Sequence, residues 1–277
     1  MRTTHYKKLA LYCSLCVALV LAGCDRRPRV KHTRTIQVSA ALAPGSAFGA
    51  ETYNGAIAVT GAEVADCNLT ATIVARALTA EEAQALAEKV KVKLVASDGK
   101  LETKIARPPK MRNQSVSVSL DVRIPSEADL HLKTHNGAVK ISKITGNVDG
   151  TTYNGAVTVT EITGQIKLTS HNGKITCKEV SGEAYAKTYN GAVAVSYSKT
   201  AASPSNISLT THNGSIDLTT PPDLSARIAA STHNGSIKSD LPITVSGEIG
   251  KTRVSGTIGT GEGKVELETH NGSIRIR

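Results

Sequence analysis

The sequence has no tryptophan, one phenylalanine (Phe48) and seven tyrosines, so aromatic residues make up only 3% of its 277 positions. A core without large rings must be packed from Val, Ile, Leu, Ala and Thr, and a hydrophobic share of 40% is enough to form one. The same shortage argues against a single-stranded nucleic-acid binder, which needs rings for the bases to stack on. There is no phosphate-cradling glycine loop and no Gly-x-Ser-x-Gly. The apolar run from Leu9 to Gly23 is fifteen residues long, short of the roughly 20 that a membrane-spanning helix needs.

What that run does have is the layout of a secretory leader. Arg2, Lys7 and Lys8 precede it as a basic n-region, and it ends in Leu21-Ala22-Gly23-Cys24. This ending resembles the lipobox of bacterial lipoproteins, in which the Cys is diacylated on sulfur and becomes the first residue of the mature chain. Residues 1–23 therefore read as a lipoprotein signal peptide, 24–34 as a basic tether and 35–277 as the folded domain. Loss of the leader removes three basic residues and lowers the formal net charge from +10 to +7. Arg26, Arg27, Arg29, Lys31 and Arg34, with Pro28 among them, would lie beside anionic headgroups, gaining on the order of 1 kcal/mol per basic side chain. The expected partner is thus a membrane, reached through a lipid anchor on Cys24. The expected location is the bacterial cell envelope, on its periplasmic or surface side, and no nucleic acid is expected for an exported protein. Cys13 and Cys16 leave with the leader. Cys67 and Cys177 remain, match no metal-ligand spacing, and are expected as buried thiols, with a single disulfide left open in an oxidising envelope.

A repeat dominates the rest of the chain. Thr or Ser, then Tyr or His, then Asn-Gly recurs with the ring at Tyr53, His135, Tyr153, His171, Tyr189, His212, His233 and His270. The Asn residues are Asn54, Asn136, Asn154, Asn172, Asn190, Asn213, Asn234 and Asn271, and the three central intervals are each 18 residues. A fixed period near twenty is the mark of a solenoid, whose units bury their apolar faces only against their neighbours. Within a unit, Ile166, Leu168 and Ser170 alternate with Lys167, Thr169 and His171, so the ring stands on the solvent side of a strand if Ile and Leu point inward. Asn-Gly is also a strong hairpin signal, so an antiparallel meander is the competing arrangement. Identity at equal offsets favours stacking, because Asn side chains one strand apart can bond along a ladder and satisfy their own buried amides. The fold class expected is mainly β: a parallel β-solenoid of Asn-Gly rungs. Along it the rings would follow chain order.

Residues 61–128 differ in texture and read as an α+β insertion or cap, with 129–277 as the main array. Asn68 to Ala77 alternates as a strand, and Thr79 with Glu82 three residues on resembles a helix N-cap. An Ala- and Glu-rich helix follows to about Lys91, Val90 to Leu94 alternates again ahead of a turn at Asp98-Gly99, and a strand with inward Val116, Val118, Leu120 and Val122 closes a small N-terminal strand-helix-strand excursion. At the other end, Arg275 and Arg277 would face outward and deter pairing at the last strand.

The leading Asn-Gly strand, the Thr-Ala-Glu-Glu-Ala helix start, Val122 to Pro125 as Val-x-Ile-Pro and the serial Asn-Gly-x-Ile/Val rungs together resemble the bacterial β-strand-repeat domain of unknown function with a toast-rack-like solenoid. The resemblance covers roughly residues 34–277. It implies an adhesin-like envelope protein, in lipoprotein form here, and supplies no catalytic residues.

Candidate chemistry is sparse. Acids in the repeat zone (Asp149, Glu161, Glu179, Glu183 and Asp217) fall at different offsets and form no shared column, which disfavours a polysaccharide-active β-helix enzyme. The repeat His residues sit on a flat strand face, a poor start for the tetrahedral shell of zinc, so neither a metal nor a cofactor is expected. The eight rings are the candidate binding face, against a purely structural reading in which exposed rings pack flat on one another and shield the backbone, and the eight Asn are the structural ladder. The expected function is non-catalytic: a lipid-anchored protein presenting a repetitive face to an envelope polysaccharide or protein. A structural or stress-responsive spacer without a specific ligand is the alternative.

Overall fold

A computed structural model describes residues 30–109 and 111–277; the expected signal peptide, Cys24 and the expected tether up to residue 29 lie outside the described residues. The N-terminal part runs β1 (Val30–Ala41), β2 (Ser46–Asn54), β3 (Ile57–Ala62), β4 (Asp66–Ala77), α1 (Ala80–Glu88), β5 (Lys91–Ser97), β6 (Lys100–Ala106) and β7 (Ser115–Pro125). Four regular rungs follow as strand pairs: β8 (Ala128–Asn136) with β9 (Val139–Thr145), β10 (Val148–Asn154) with β11 (Val157–Thr163), β12 (Ile166–Asn172) with β13 (Ile175–Ser181), and β14 (Ala184–Asn190) with β15 (Val193–Tyr197). The chain ends with β16 (Asn206–Asn213), β17 (Ile216–Thr219), β18 (Ala226–Asn234), β19 (Ile237–Ser239), β20 (Thr244–Ile249), β21 (Arg253–Ile258), β22 (Gly263–Asn271) and β23 (Ile274–Ile276).

Each rung gives one strand to each of two sheets, and within the array like pairs with like in parallel. Ile166 lies opposite Val148 and Ala184, and Asn172 opposite Asn154 and Asn190. In the second sheet Val157 faces Val139 and Ile175. This is the parallel solenoid, and the antiparallel meander is excluded, because Asn-Gly forms a corner that carries the chain from one sheet to the other. The core lies between the sheets and is built from the inward residues of each strand, among them Leu130, Val148, Ile166, Leu168 and Leu209, all nearly inaccessible.

In three rungs the second strand carries a kink that the sequence hides. Lys143, Glu161 and Glu179 hold left-handed φ values of 59°, 56° and 50°. The extra residue shifts the parity, so that Ile144, Ile162 and Val180 turn inward after Ile141, Val159 and Cys177. The next rung has no such residue. There Tyr197 pairs with Val180, is buried, and donates its hydroxyl to the Gly182 carbonyl at 2.9 Å.

The N-terminal excursion holds the expected elements, with the alternating segment after the helix and its Asp98-Gly99 turn forming a hairpin. It holds a helix and the β5–β6 hairpin between β4 and β7, and it continues both sheets: β7, β4 and β1 extend one beyond β3, and β6 and β5 extend the other beyond β2. The Thr79 side chain accepts from the Glu82 amide, and the Glu82 carboxylate accepts from the Leu78 amide, both at 3.2 Å, which starts α1 where the sequence places it. The helix is shorter than expected, ending at Glu88, and buries Ala83, Leu86 and Ala87. Lys31 and Arg34, expected in an unpacked tether, belong to β1. The physical reason is local: His32 to Ala40 alternate outward and inward and pair with β4, while Arg34 donates to the Ala87 and Glu88 carbonyls at the end of α1.

The C-terminal end also departs from chain order. β22 lies between β16 and β18, and β23 between β17 and β19, so the last rung of the sequence is inserted inside the array. The 19 residues by which the final interval exceeds 18 hold the β20–β21 hairpin, which pairs antiparallel with the outer side of β18. The chain end is therefore not an edge. Arg275 and Arg277 do face outward, and they pair with Asp240 and Asp217 on the neighbouring chain segments.

Candidate functional site

The eight rings form one column on the outer face of the sheet that contains β2 and β8. Their centroids are 4.5 to 5.2 Å apart and their planes tilt by 12° to 27°, so each ring lies on the next. The order is Tyr53, His135, Tyr153, His171, Tyr189, His212, His270, His233, which corrects the chain order expected for the last two. Strand alternation placed the rings outside but said nothing of their rotation. Because the faces are turned toward each other along the column, they are not free to receive a sugar or a peptide. What the column presents to solvent is a row of polar edges, tyrosine hydroxyls and imidazole nitrogens. Tyr53, Tyr153 and Tyr189 are 55%, 44% and 47% exposed, whereas His135 and His171 are half-buried between them, with Nδ1 of each covered and unbonded.

Next to the rings, two residues earlier on each strand, stand Glu51, Lys133, Thr151, Thr169, Lys187, Thr210 and Glu268. With the ring column they line a groove of about 820 Å³ that runs across the strands. It continues toward the N-terminal end into a second depression of about 700 Å³, which reaches Lys100, Glu102, Lys104, Arg107, His131 and Asp149. Lys100 and Lys104 bond the Glu102 carboxylate and hold its pKa down to about 2, so this end carries fixed opposite charges. Among the described residues no group of three His, Cys, Asp or Glu is arranged to hold a metal ion. Cys67 and Cys177 are buried and unpaired, with burial pushing both thiols up to about 12, which leaves them protonated and unreactive at neutral pH.

The Asn residues form a chain of side-chain bonds, each Nδ2 donating to the Oδ1 of the neighbouring rung at 2.7 to 2.9 Å. They lie at the rim: apart from half-buried Asn54 and Asn136, all are exposed. The buried polar ladder is the Thr or Ser two residues earlier, which sequence reasoning passed over. Thr152 donates to the Gly137 carbonyl at 2.8 Å, Ser170 to Gly155 at 3.0 Å, Thr188 to Gly173 at 2.9 Å and Thr211 to Gly191 at 2.8 Å. These corner carbonyls receive no amide from the strand ladder, so the hydroxyl is what satisfies them. Thr188→Val keeps the shape and removes that donor, and is expected to cost about 1 to 3 kcal/mol. Asn172→Ala, whose neighbours reach water, is expected to cost about 1 kcal/mol or less. Urea denaturation compares the two, and equal losses would mean that the Asn chain holds the corners as firmly as the hydroxyls do.

Comparison with known proteins gives the following. A family model described as Toastrack DUF4097 matches residues 77–277. None of the curated proteins matches the chain. Among solved structures, a putative adhesin from Bacteroides fragilis is 13% identical, with 88% of this chain and 97% of that one covered at a TM-score of 0.47. A putative cell adhesion protein from Clostridium sporogenes is 14% identical, covering 88% and 99% at 0.34. A putative lipid binding protein from Parabacteroides distasonis is 11% identical, covering 89% and 97% at 0.33.

Proposed function

The chain belongs to the Toastrack DUF4097 family, and on that premise we propose that it is a non-catalytic, adhesin-like protein of the cell envelope, anchored by lipid on Cys24, whose groove beside the ring column holds an extended polar polymer. The observation that carries the reading is the groove itself. It crosses at least six rungs, and each rung offers it the polar edge of a ring together with a hydroxyl or charged side chain. Weak contacts repeated at the pitch of the strands add along a polymer and not along a small molecule. Its walls of Thr, Lys, Tyr and His suit a hydroxyl-rich glycan or an extended peptide backbone, both of which bond through edges and need no free ring face. A spacer without a ligand is the second reading, and the closed stacking favours it, since ring pairs contribute roughly 0.2 to 1 kcal/mol each to the array.

The two readings part on a variant that fills the groove without touching the stack. Thr151→Glu, which sets its charge beside Lys133 on the next strand, is expected to lower retention on purified peptidoglycan or extracted envelope polysaccharide about tenfold, with the thermal midpoint unchanged. Replacing His135, Tyr153, His171 and Tyr189 together by Thr should weaken retention and lower the midpoint as well. A wild-type protein retained on neither polymer would leave the spacer reading standing. The mass of the mature N-terminus decides the anchor on the same preparation: diacylglycerol on Cys24 is expected, and an unmodified Cys24 would remove the membrane from the proposal.

A further inference from the structure

Two open sheets have four edges, and an open edge is a row of unpaired backbone groups that natural proteins usually blunt. Three are blunted here. β19 has only three residues. β5 carries exposed Lys91 and Lys93. β20 loses register with β21 between Val245 and Ile249. β1 is the exception. Its 12 residues pair with β4 without a break from Val30 opposite Ala77 to Ala41 opposite Asp66, and its other side meets no strand among the described residues. It contains no proline, and its two long basic side chains, Lys31 and Arg34, sit in its first half. On its inner face Ile36, Val38 and Ala40 pack against the core yet stay only partly buried.

We infer that β1 is an interface, and that its occupant is the β1 strand of a second copy of this chain, paired antiparallel across a two-fold axis near Ile36. Period-two alternation allows only registers that keep Ile36, Val38 and Ala40 on the inner face. Two such registers tie at the longest overlap, and the one centred on Ile36, which alone brings Lys31 into the row of Asp66, sets Thr33 opposite Ser39 of the second copy, Thr35 opposite Gln37, and Lys31 opposite Ala41. No like charges meet. Ala41 is itself paired with Asp66, so exposed Lys31 of one copy lies in the same row as exposed Asp66 of the other, two strands away and within reach of a lysine. The pairing runs for about 36 Å at 3.3 Å per residue, completes the burial of Ile36 and Val38 in both copies, and joins two eleven-stranded sheets into one. β1 lies in the sheet opposite the rings, so this interface leaves the groove open and does not depend on what the groove binds.

The test uses charge to break and restore the pairing. Light scattering of the full chain should give a dimer. Thr35→Lys with Gln37→Lys, both outward on β1, places four like charges about the axis. It should raise the dissociation constant about tenfold or more while leaving the thermal midpoint of the monomer intact. Thr35→Glu with Gln37→Glu should do the same, and mixing the two variants should restore a heterodimer. A wild type that is monomeric at every concentration, or a dimer indifferent to both double variants, would overturn the inference.

Discussion

Gly173→Ala is expected to destabilise the protein by about 3 kcal/mol or more, at the upper end of what overpacking costs. A methyl carbon on Gly173 would stand 1.9 Å from the Gly155 carbonyl oxygen. Gly173 has no left-handed φ, so close approach is the whole reason for glycine there. The same contact recurs at 2.0 Å for Gly137 on Gly55, Gly155 on Gly137, Gly214 on Gly191 and Gly272 on Gly214. Relief requires neighbouring rungs to separate, and they are tied on both sides of the corner, by Gly155 N to Asn172 O at 3.1 Å and Val157 N to Lys174 O at 3.0 Å. Lys174→Ala, exposed beside it, should change stability by about 0.5 kcal/mol or less. Chemical denaturation of the two variants separates corner crowding from general sensitivity. Similar small losses in both would mean that the corners open freely.

Removing residues 263–277 should unfold the C-terminal third and spare the centre. Trimming a terminal unit from a solenoid normally costs one interface. Here the deletion takes out an internal rung, with buried Val265, Leu267, Ile274 and Ile276, each worth about 1.5 to 3 kcal/mol. β18, β19 and the β20–β21 hairpin are then left without their neighbours. Hydrogen exchange should show protection lost from β18 through β21 and largely kept from β8 to β13. Wild-type protection in β18 would mean that this rung closes directly onto β16, and that the inserted rung is dispensable.

The rung period, the inward and outward faces and the start of α1 were legible because each follows from spacing: alternation for the strands, Thr79 and Glu82 for the cap. The order of the last rungs was not. Residues 211–216, 232–237 and 269–274 all read Thr-His-Asn-Gly-Ser-Ile, so the contacts they offer a neighbour are the same and only the hairpin's demand for the edge of β18 decides. The hydroxyl ladder was masked because Thr in a strand reads as ordinary β-propensity. Its signal was Ser170, which drops the methyl and keeps the oxygen. The kinks at Lys143, Glu161 and Glu179 lacked the Gly or Asn that usually marks a left-handed residue, and only the three-residue step from Ile141 to Ile144 betrays them. Parity fixed the side on which the rings stand. Their rotation follows from the repeat and not from any one strand, since rings at equal offsets on neighbouring strands can pack flat on one another.

Near-identical rungs carry a hazard of their own, since a segment displaced by 18 residues would meet side chains much like those it left. Such a frame error would keep most of its contacts and so would be slow to correct. Tyr197 is where the copies stop being interchangeable. Its rung lacks the kinked residue, and its phenol fills the place next to Val180 while its hydroxyl takes the Gly182 carbonyl. A strand carrying Lys143, Glu161 or Glu179 can offer neither the ring nor the bond. Tyr197 thus closes the run of kinked strands, since no kinked strand can take its place.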